Sequence, residues 1–192
     1  MKRAWALLIV ASSCAHAVEI RIQYGALERL LADMVFTQDG RRYMRGTKTA
    51  KCNFAYLEKP EVRGENGLLR IKANFTGRSA LNLLGQCVGV GDAFEAVITA
   101  TPVFRNGALG LQQVRVGSNG KTSYYIRHVC EAMESSLAHD FKVPLAANAK
   151  ALLENPEFHP AYRRELNGFD VPEIRVTNDA LVLSVYFELT IK

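Results

Sequence analysis

Four cysteines (Cys14, Cys52, Cys87, Cys130) and four histidines (His16, His128, His139, His159) are the side chains here that could bind a metal, attack a substrate or form a crosslink. Their spacing argues against the first two. There is no Cys-x-x-Cys and no H-E-x-x-H, and the histidines stand apart from one another. His128 and Glu131 lie one helical turn apart and could share a ligand, but two residues of one helix make no metal site, and a surface pair is the simpler reading. Residues 128 and 130 point in different directions on a helix, so His128 cannot activate Cys130, which reads as a buried packing cysteine. No G-x-S-x-G occurs. Gly89-Val90-Gly91 is a lone G-x-G with no helix after it, better read as a turn than as a phosphate cradle. Glu131 and Glu134 fall on the polar face of a helix, as solvated charge. Asn74-Phe75-Thr76 is a glycosylation sequon only in a glycosylating host. No catalytic set, metal site or cofactor site is expected, and the chain reads as non-enzymatic.

The redox setting follows from the N-terminus. Lys2 and Arg3 precede an apolar run through Trp5, Leu7, Leu8, Ile9 and Val10, which leads to Ala15-His16-Ala17. This is the pattern of a secretory signal peptide over residues 1–17, and its apolar part is too short to span a bilayer. A weaker lipoprotein reading would acylate Cys14. The expected mature protein is one domain over residues 18–192, exported to the periplasm or secreted. Removing Lys2 and Arg3 from the 24 basic and 19 acidic residues leaves a formal charge of +3, too mild for nucleic acid. After Val18 no apolar run reaches the roughly 20 residues of a membrane helix. An oxidising compartment allows Cys52, Cys87 and Cys130 one disulfide and one remaining thiol. Cys52–Cys87 is the expected pair, both read at inward-facing strand positions; three buried thiols are the alternative.

The elements that must position these residues emerge from periodicity. Val18, Ile20, Ile22 and Tyr24 alternate as a short strand, and Leu27, Leu30, Leu31, Met34 and Val35 then follow helical spacing. Alternating rows follow: Ala50, Cys52, Phe54 and Tyr56; Leu69, Ile71, Ala73 and Phe75; Leu81, Leu83 and Cys87; Phe94, Ala96, Ile98, Ala100 and Phe104. Between Leu109/Leu111 and Val114/Val116 the phase slips by one, which predicts a β-bulge near Gln112-Gln113. Gln38-Asp39-Gly40, Glu65-Asn66-Gly67 and Arg105-Asn106-Gly107 read as turns. Ile126, Val129, Met133, Leu137 and Phe141 predict an amphipathic helix of about 20 residues. Pro144 kinks or interrupts it, and a helical pattern resumes over 146–153. An irregular stretch, 158–169, leads to a last hairpin with Ile174 and Val176 on one arm and Leu183, Val185, Phe187, Leu189 and Ile191 on the other. The class is α+β: a curled antiparallel sheet wrapped on one long amphipathic helix, with a short N-terminal helix and a C-terminal β-hairpin.

Two features could carry function. Arg41, Arg42, Arg45, Lys48 and Lys51 form a basic segment without a carboxylate between Asp39 and Glu58, interleaved with Tyr43 and Met44. It could dock on an anionic membrane surface, at about 1 kcal/mol per charge, or be an edge strand protected by charge. The second is the large–small alternation of Phe94, Ala96, Ile98 and Ala100, which either seats a helix closely or leaves an apolar groove beside it. Met133 on the facing helix would suit an adaptable lining.

The order of elements (amphipathic helix, long-stranded meander, long amphipathic helix, terminal hairpin) resembles the tubular lipid-binding superfamily over most of 27–191. That resemblance implies a long helix rolled in a highly curved sheet, with acyl chains in the seam. It also implies, from some members, a disulfide between a strand and the long helix, which would favour Cys130 as a partner. The expected partner is a lipid or other apolar molecule, held by Phe94, Ala96, Ile98 and Phe104 from the sheet and Val129, Met133 and Leu137 from the helix. A filled sheet–helix core that serves as an envelope interaction module is the rival reading.

Overall fold

Six antiparallel strands form the larger of two sheets. They are β2 (Arg41–Arg45), β3 (Asn53–Glu65), β4 (Leu68–Leu83), β5 (Gln86–Arg105), β6 (Ala108–Ser118) and β7 (Lys142–Val143), paired in that order as a curled half-barrel. A second antiparallel sheet has the order β1 (Val18–Gln23), β9 (Ala180–Ile191), β8 (Arg164–Val176). Three helices complete the described chain: α1 (Tyr24–Met34), α2 (Tyr124–Asp140) and α3 (Leu145–Leu153). The computed structural model describes residues 17–120, 123–157 and 162–192. The expected signal peptide, apart from Ala17, lies outside the described residues, as do Cys14, Trp5 and His159. No helix among the described residues is long and apolar enough to cross a membrane.

The expected long helix is instead two helices with a strand between them. Ser123 caps α2, its Oγ accepting from the Ile126 N–H at 3.2 Å. The helix runs 17 residues, about 25 Å. Proline disfavours helical geometry in the residue before it, and before Pro144 the chain turns extended, so that Lys142 and Val143 pair with Gly110 and Leu109. A nine-residue helix, α3, follows. The stretch read as irregular is also corrected in part, since β8 already begins at Arg164.

The alternating rows become one buried face. Leu69, Ile71, Ala73 and Phe75 on β4 stand opposite Ala100, Ile98, Ala96 and Phe94 on β5, and all eight are buried. The bulge falls where the phase slips. Thr99 pairs with Arg115 and Thr101 with Gln112, so Gln113 and Val114 together oppose Ala100, and Gln113 takes a left-handed φ of 51°. Rows on β3 and β9 differ from expectation. On β3 the inward residues are Ala55 and Leu57, opposite Gly77 and Phe75, so Phe54 and Tyr56 turn outward, their rings 5.9 Å apart. On β9 the consecutive residues Ala180–Leu183, flanked by β1 and β8, are all buried while Phe187 and Ile191 are exposed.

Each helix is docked by one glutamate that accepts a strand N–H. Glu28 of α1 takes that of Val62 at 2.7 Å, Glu134 of α2 that of Val116 at 2.8 Å, and Glu154 of α3 that of Leu166 at 2.8 Å. Glu134 is therefore not merely solvated charge, as the sequence suggested; it ties α2 to the open edge of β6. The two sheets meet where Tyr24 donates to the carbonyl of Ala180 at 3.0 Å and also to that of Thr177. Gly64 makes this approach possible, since a Cβ there would collide with the Thr177 carbonyl and the Tyr24 hydroxyl.

Candidate functional site: the seam beside helix α2

α2 lies against β6 and over the concave face, and the side of the helix toward β2 and β3 is incompletely filled. A small cavity of about 100 Å³ sits at its C-terminal end, lined among others by Phe36, Met44, Leu57, Ile98, Leu137 and Phe141. Next to it is a wider groove of about 390 Å³. Met44, Ala55, Phe75, Val129, Ala132 and Met133 supply much of its wall, and Arg45 stands at it as well. Met44 and Ser136 line both spaces, so the two adjoin. Ligand clefts commonly measure about 300–1,000 Å³ and are mostly apolar with a few polar groups. The groove has that size and that character.

The expected lining residues divide between groove and core. Val129 and Met133 line the groove, and Ile98 and Leu137 the small cavity. Phe94, Ala96 and Phe104 line neither. Phe94 packs on Phe75 with ring centroids 4.8 Å apart, and Ala96 is fully buried. Phe104 lies toward the second sheet, 5.9 Å from the Phe169 ring. The sequence reading missed Tyr125, Ala132 and Ser136. Tyr125, Val129, Ala132, Met133 and Ser136 share one helical face by their three- and four-residue spacing, so the row was legible even though its partner was not.

The basic segment is the edge strand β2 and the loop after it. Two of its charges are engaged. Arg41 binds Glu58 at 3.0 Å and stacks 4.4 Å over Tyr56, and Lys48 pairs with Asp39. Hydrogen bonding to these carboxylates raises the pKa of both cations. Arg42 lines the small cavity and Arg45 the groove, and Lys51 is exposed. Among the described residues no ion pair engages Arg42, Arg45 or Lys51.

Cys52 and Cys87 form the expected disulfide, across a Cα–Cα distance of 5.2 Å. The bond does not face inward, however. Cys87 stands opposite Asn82, on the other face from Phe75 and Phe94, so the crosslink lies on the convex side. Cys130 is a free buried thiol whose pKa is raised by burial, then by Glu134 and Glu131. A raised pKa makes it a weak nucleophile. His128 and Glu131 form an exposed pair at 3.2 Å. Gly89, Val90 and Gly91 belong to β5 rather than to a turn. No group of three or more potential metal ligands occurs among the described residues.

Comparison of the chain with protein-family models, with curated proteins and with solved structures found no match to any of them.

Proposed function

We propose that this protein is an exported, non-enzymatic carrier that holds a lipid acyl chain or another apolar molecule in the groove beside α2, as the tubular lipid-binding resemblance implies. The observation that carries the reading is the 390 Å³ groove walled by Met44, Phe75, Val129 and Met133. Its mechanism would be passive. A chain leaves water for a preformed apolar cleft, each buried methylene contributing about 0.8 kcal/mol. The methionines at 44 and 133 adapt the wall to chains of different shape. Arg45 at the groove suits an anionic headgroup.

The rival, a filled interaction module, draws on the tight burial of Phe94, Ala96 and Ile98. It does not account for the space beside the helix. Ala132 is exposed and lines that space, so Ala132→Trp would block the groove without crowding the core. The test is titration with a fluorescent fatty acid, together with native mass spectrometry of the purified protein for retained lipid. The expected result is saturable binding by the parent and its loss in Ala132→Trp at unchanged stability. A parent that binds nothing, or a variant that binds as the parent does, would overturn the proposal.

A further inference from the structure

Beyond the groove, β4 and β5 continue as a two-stranded ribbon. β3 begins at Asn53, opposite Ser79, and β6 ends at Ser118, opposite Ala96, so among the described residues the strand segments within 80–91 pair with no third strand. At about 3.4 Å per residue the ribbon extends roughly 15 Å past Ser79. Its register with the core is unbroken, so the row that buries Phe75 and Phe94 runs on through Leu81, Leu83, Val88 and Val90. These four side chains are 53–70 % exposed. An isolated hairpin is marginal in water, yet this one is clamped at its root. The side chain of Asn53 both donates to the Ala80 carbonyl at 2.8 Å and accepts its N–H at 3.2 Å, and the Cys52–Cys87 bond lies beside it.

The tip is the telling part. Three hairpin turns of the large sheet have both central residues at positive φ: Asn66-Gly67, Leu84-Gly85 and Asn106-Gly107. Asn-Gly is what this turn prefers, because asparagine tolerates the left-handed region and a bulky apolar residue does not. At 84 the chain places a leucine instead, at a φ of 52° and with its side chain wholly in water. The folded monomer gains nothing from that choice. Cations stand at the ribbon's root: the disulfide draws exposed Lys51 there, and Arg78 donates to the Cys87 carbonyl at 3.4 Å, whereas Arg70 and Lys72 lie farther along β4 and are paired with Glu65 and Glu95.

The geometry points to the 80–91 ribbon as a wedge that docks on an anionic lipid bilayer: Leu81, Leu83, Leu84, Val88 and Val90 enter the interface, while Arg45, Lys51 and Arg78 meet the headgroup phosphates. Cationic residues beside an inserted apolar face are the composition that anionic interfaces select. The unpaired outer edges of the ribbon keep it at headgroup depth, since hydrocarbon would leave those backbone groups unsatisfied. A protein partner adding a strand, or a second copy of this chain, would use the same edges but would not call for the cations. The inference does not depend on the groove holding a ligand, since Leu84 does not line the groove.

The experiment is flotation of the full chain with vesicles of phosphatidylcholine alone and of phosphatidylcholine mixed with phosphatidylglycerol. Leu84→Asn is the decisive variant, because it improves the turn while removing the tip. It is expected to keep or raise the unfolding midpoint, to keep fatty-acid binding if the parent has it, and to lose vesicle binding about tenfold, the effect of one largely buried leucine. Lys51→Gln with Arg78→Gln is expected to weaken binding to the anionic vesicles about thirtyfold, at about 1 kcal/mol per charge, and to leave the weak binding to neutral ones unchanged. A parent that floats with neither vesicle, or a Leu84→Asn variant that floats as the parent does, would overturn the inference. So would concentration-dependent self-association of the parent that Leu84→Asn abolishes, which would assign the ribbon to a second copy.

Discussion

Replacing Cys52 and Cys87 together by alanine removes a crosslink between residues 35 apart in sequence. In the chain-entropy description the loss of a loop of that length frees about 13 cal/mol/K in the unfolded chain, or about 4 kcal/mol at 25 °C. The native structure keeps a second clamp at the same place, the two hydrogen bonds between Asn53 and Ala80, so the folded ribbon root should survive the substitution. Cys52 is buried, and its truncation adds a packing cost of about 0.8 kcal/mol, the worth of one methylene-sized group. With a urea dependence near 2 kcal/mol/M, the midpoint should fall by roughly 2 M. The assay is urea unfolding followed by far-ultraviolet circular dichroism, parent against double variant, both under non-reducing conditions. The double variant is required because a lone Cys52 or Cys87 could pair with Cys130 once the chain unfolds. A shift below about 0.5 M with an unchanged slope would refute the reasoning, since it would mean that the denatured chain already holds these segments together.

Tyr24→Phe should cost about 1 kcal/mol through the lost hydrogen bonds to Thr177 and Ala180. Burial, then Asp179, raises the pKa of Tyr24 above 10.0, so its contribution is complete below pH 10.0 and is lost as pH rises through the folded value. Parent midpoints should therefore fall more steeply than those of Tyr24→Phe in alkaline urea titrations. Gly64→Ala should destabilise by about 1–3 kcal/mol because its Cβ meets Thr177 and Tyr24, and by less in the Tyr24→Phe background, where one obstacle is gone; calorimetry of the four proteins measures the difference. Ala96→Phe and Met133→Trp should each destabilise by about 1–3 kcal/mol of overpacking, read as a lower urea midpoint, because these residues are 0 % and 2 % exposed. That outcome would set them apart from the groove-blocking Ala132→Trp. Cys130 should resist alkylation in native buffer and react at once in denaturant, as mass spectrometry of iodoacetamide-treated protein would read; rapid native labelling would contradict its burial.

Local features of this chain were decided by its sequence alone. The alternation on β4 and β5, the positive-φ turns at Asn66-Gly67 and Asn106-Gly107, the bulge at Gln113 and the helical row of α1 all follow from neighbours a few residues apart. The steric and hydrophobic preferences behind them act at that range. The Cys52–Cys87 pairing was also legible, although its inward placement was not, because the facing of a residue just outside a strand depends on which strand it meets. What the tertiary structure decided involves partners far apart. Val18 pairs with Val185, and no local pattern names that partner or divides the strands into two sheets. Lys142 and Val143 leave the helical pattern because Pro144 disfavours helical geometry in the chain just before it and β6 offers them a partner instead. Glu28, Glu134 and Glu154 look like surface charge until the strand N–H groups they receive are placed beside them. The groove belongs to the same class. Periodicity assigns Val129 and Met133 to a buried face, but the space beside them is the difference between a helix and a curled sheet edge, which exists only once both surfaces are assembled.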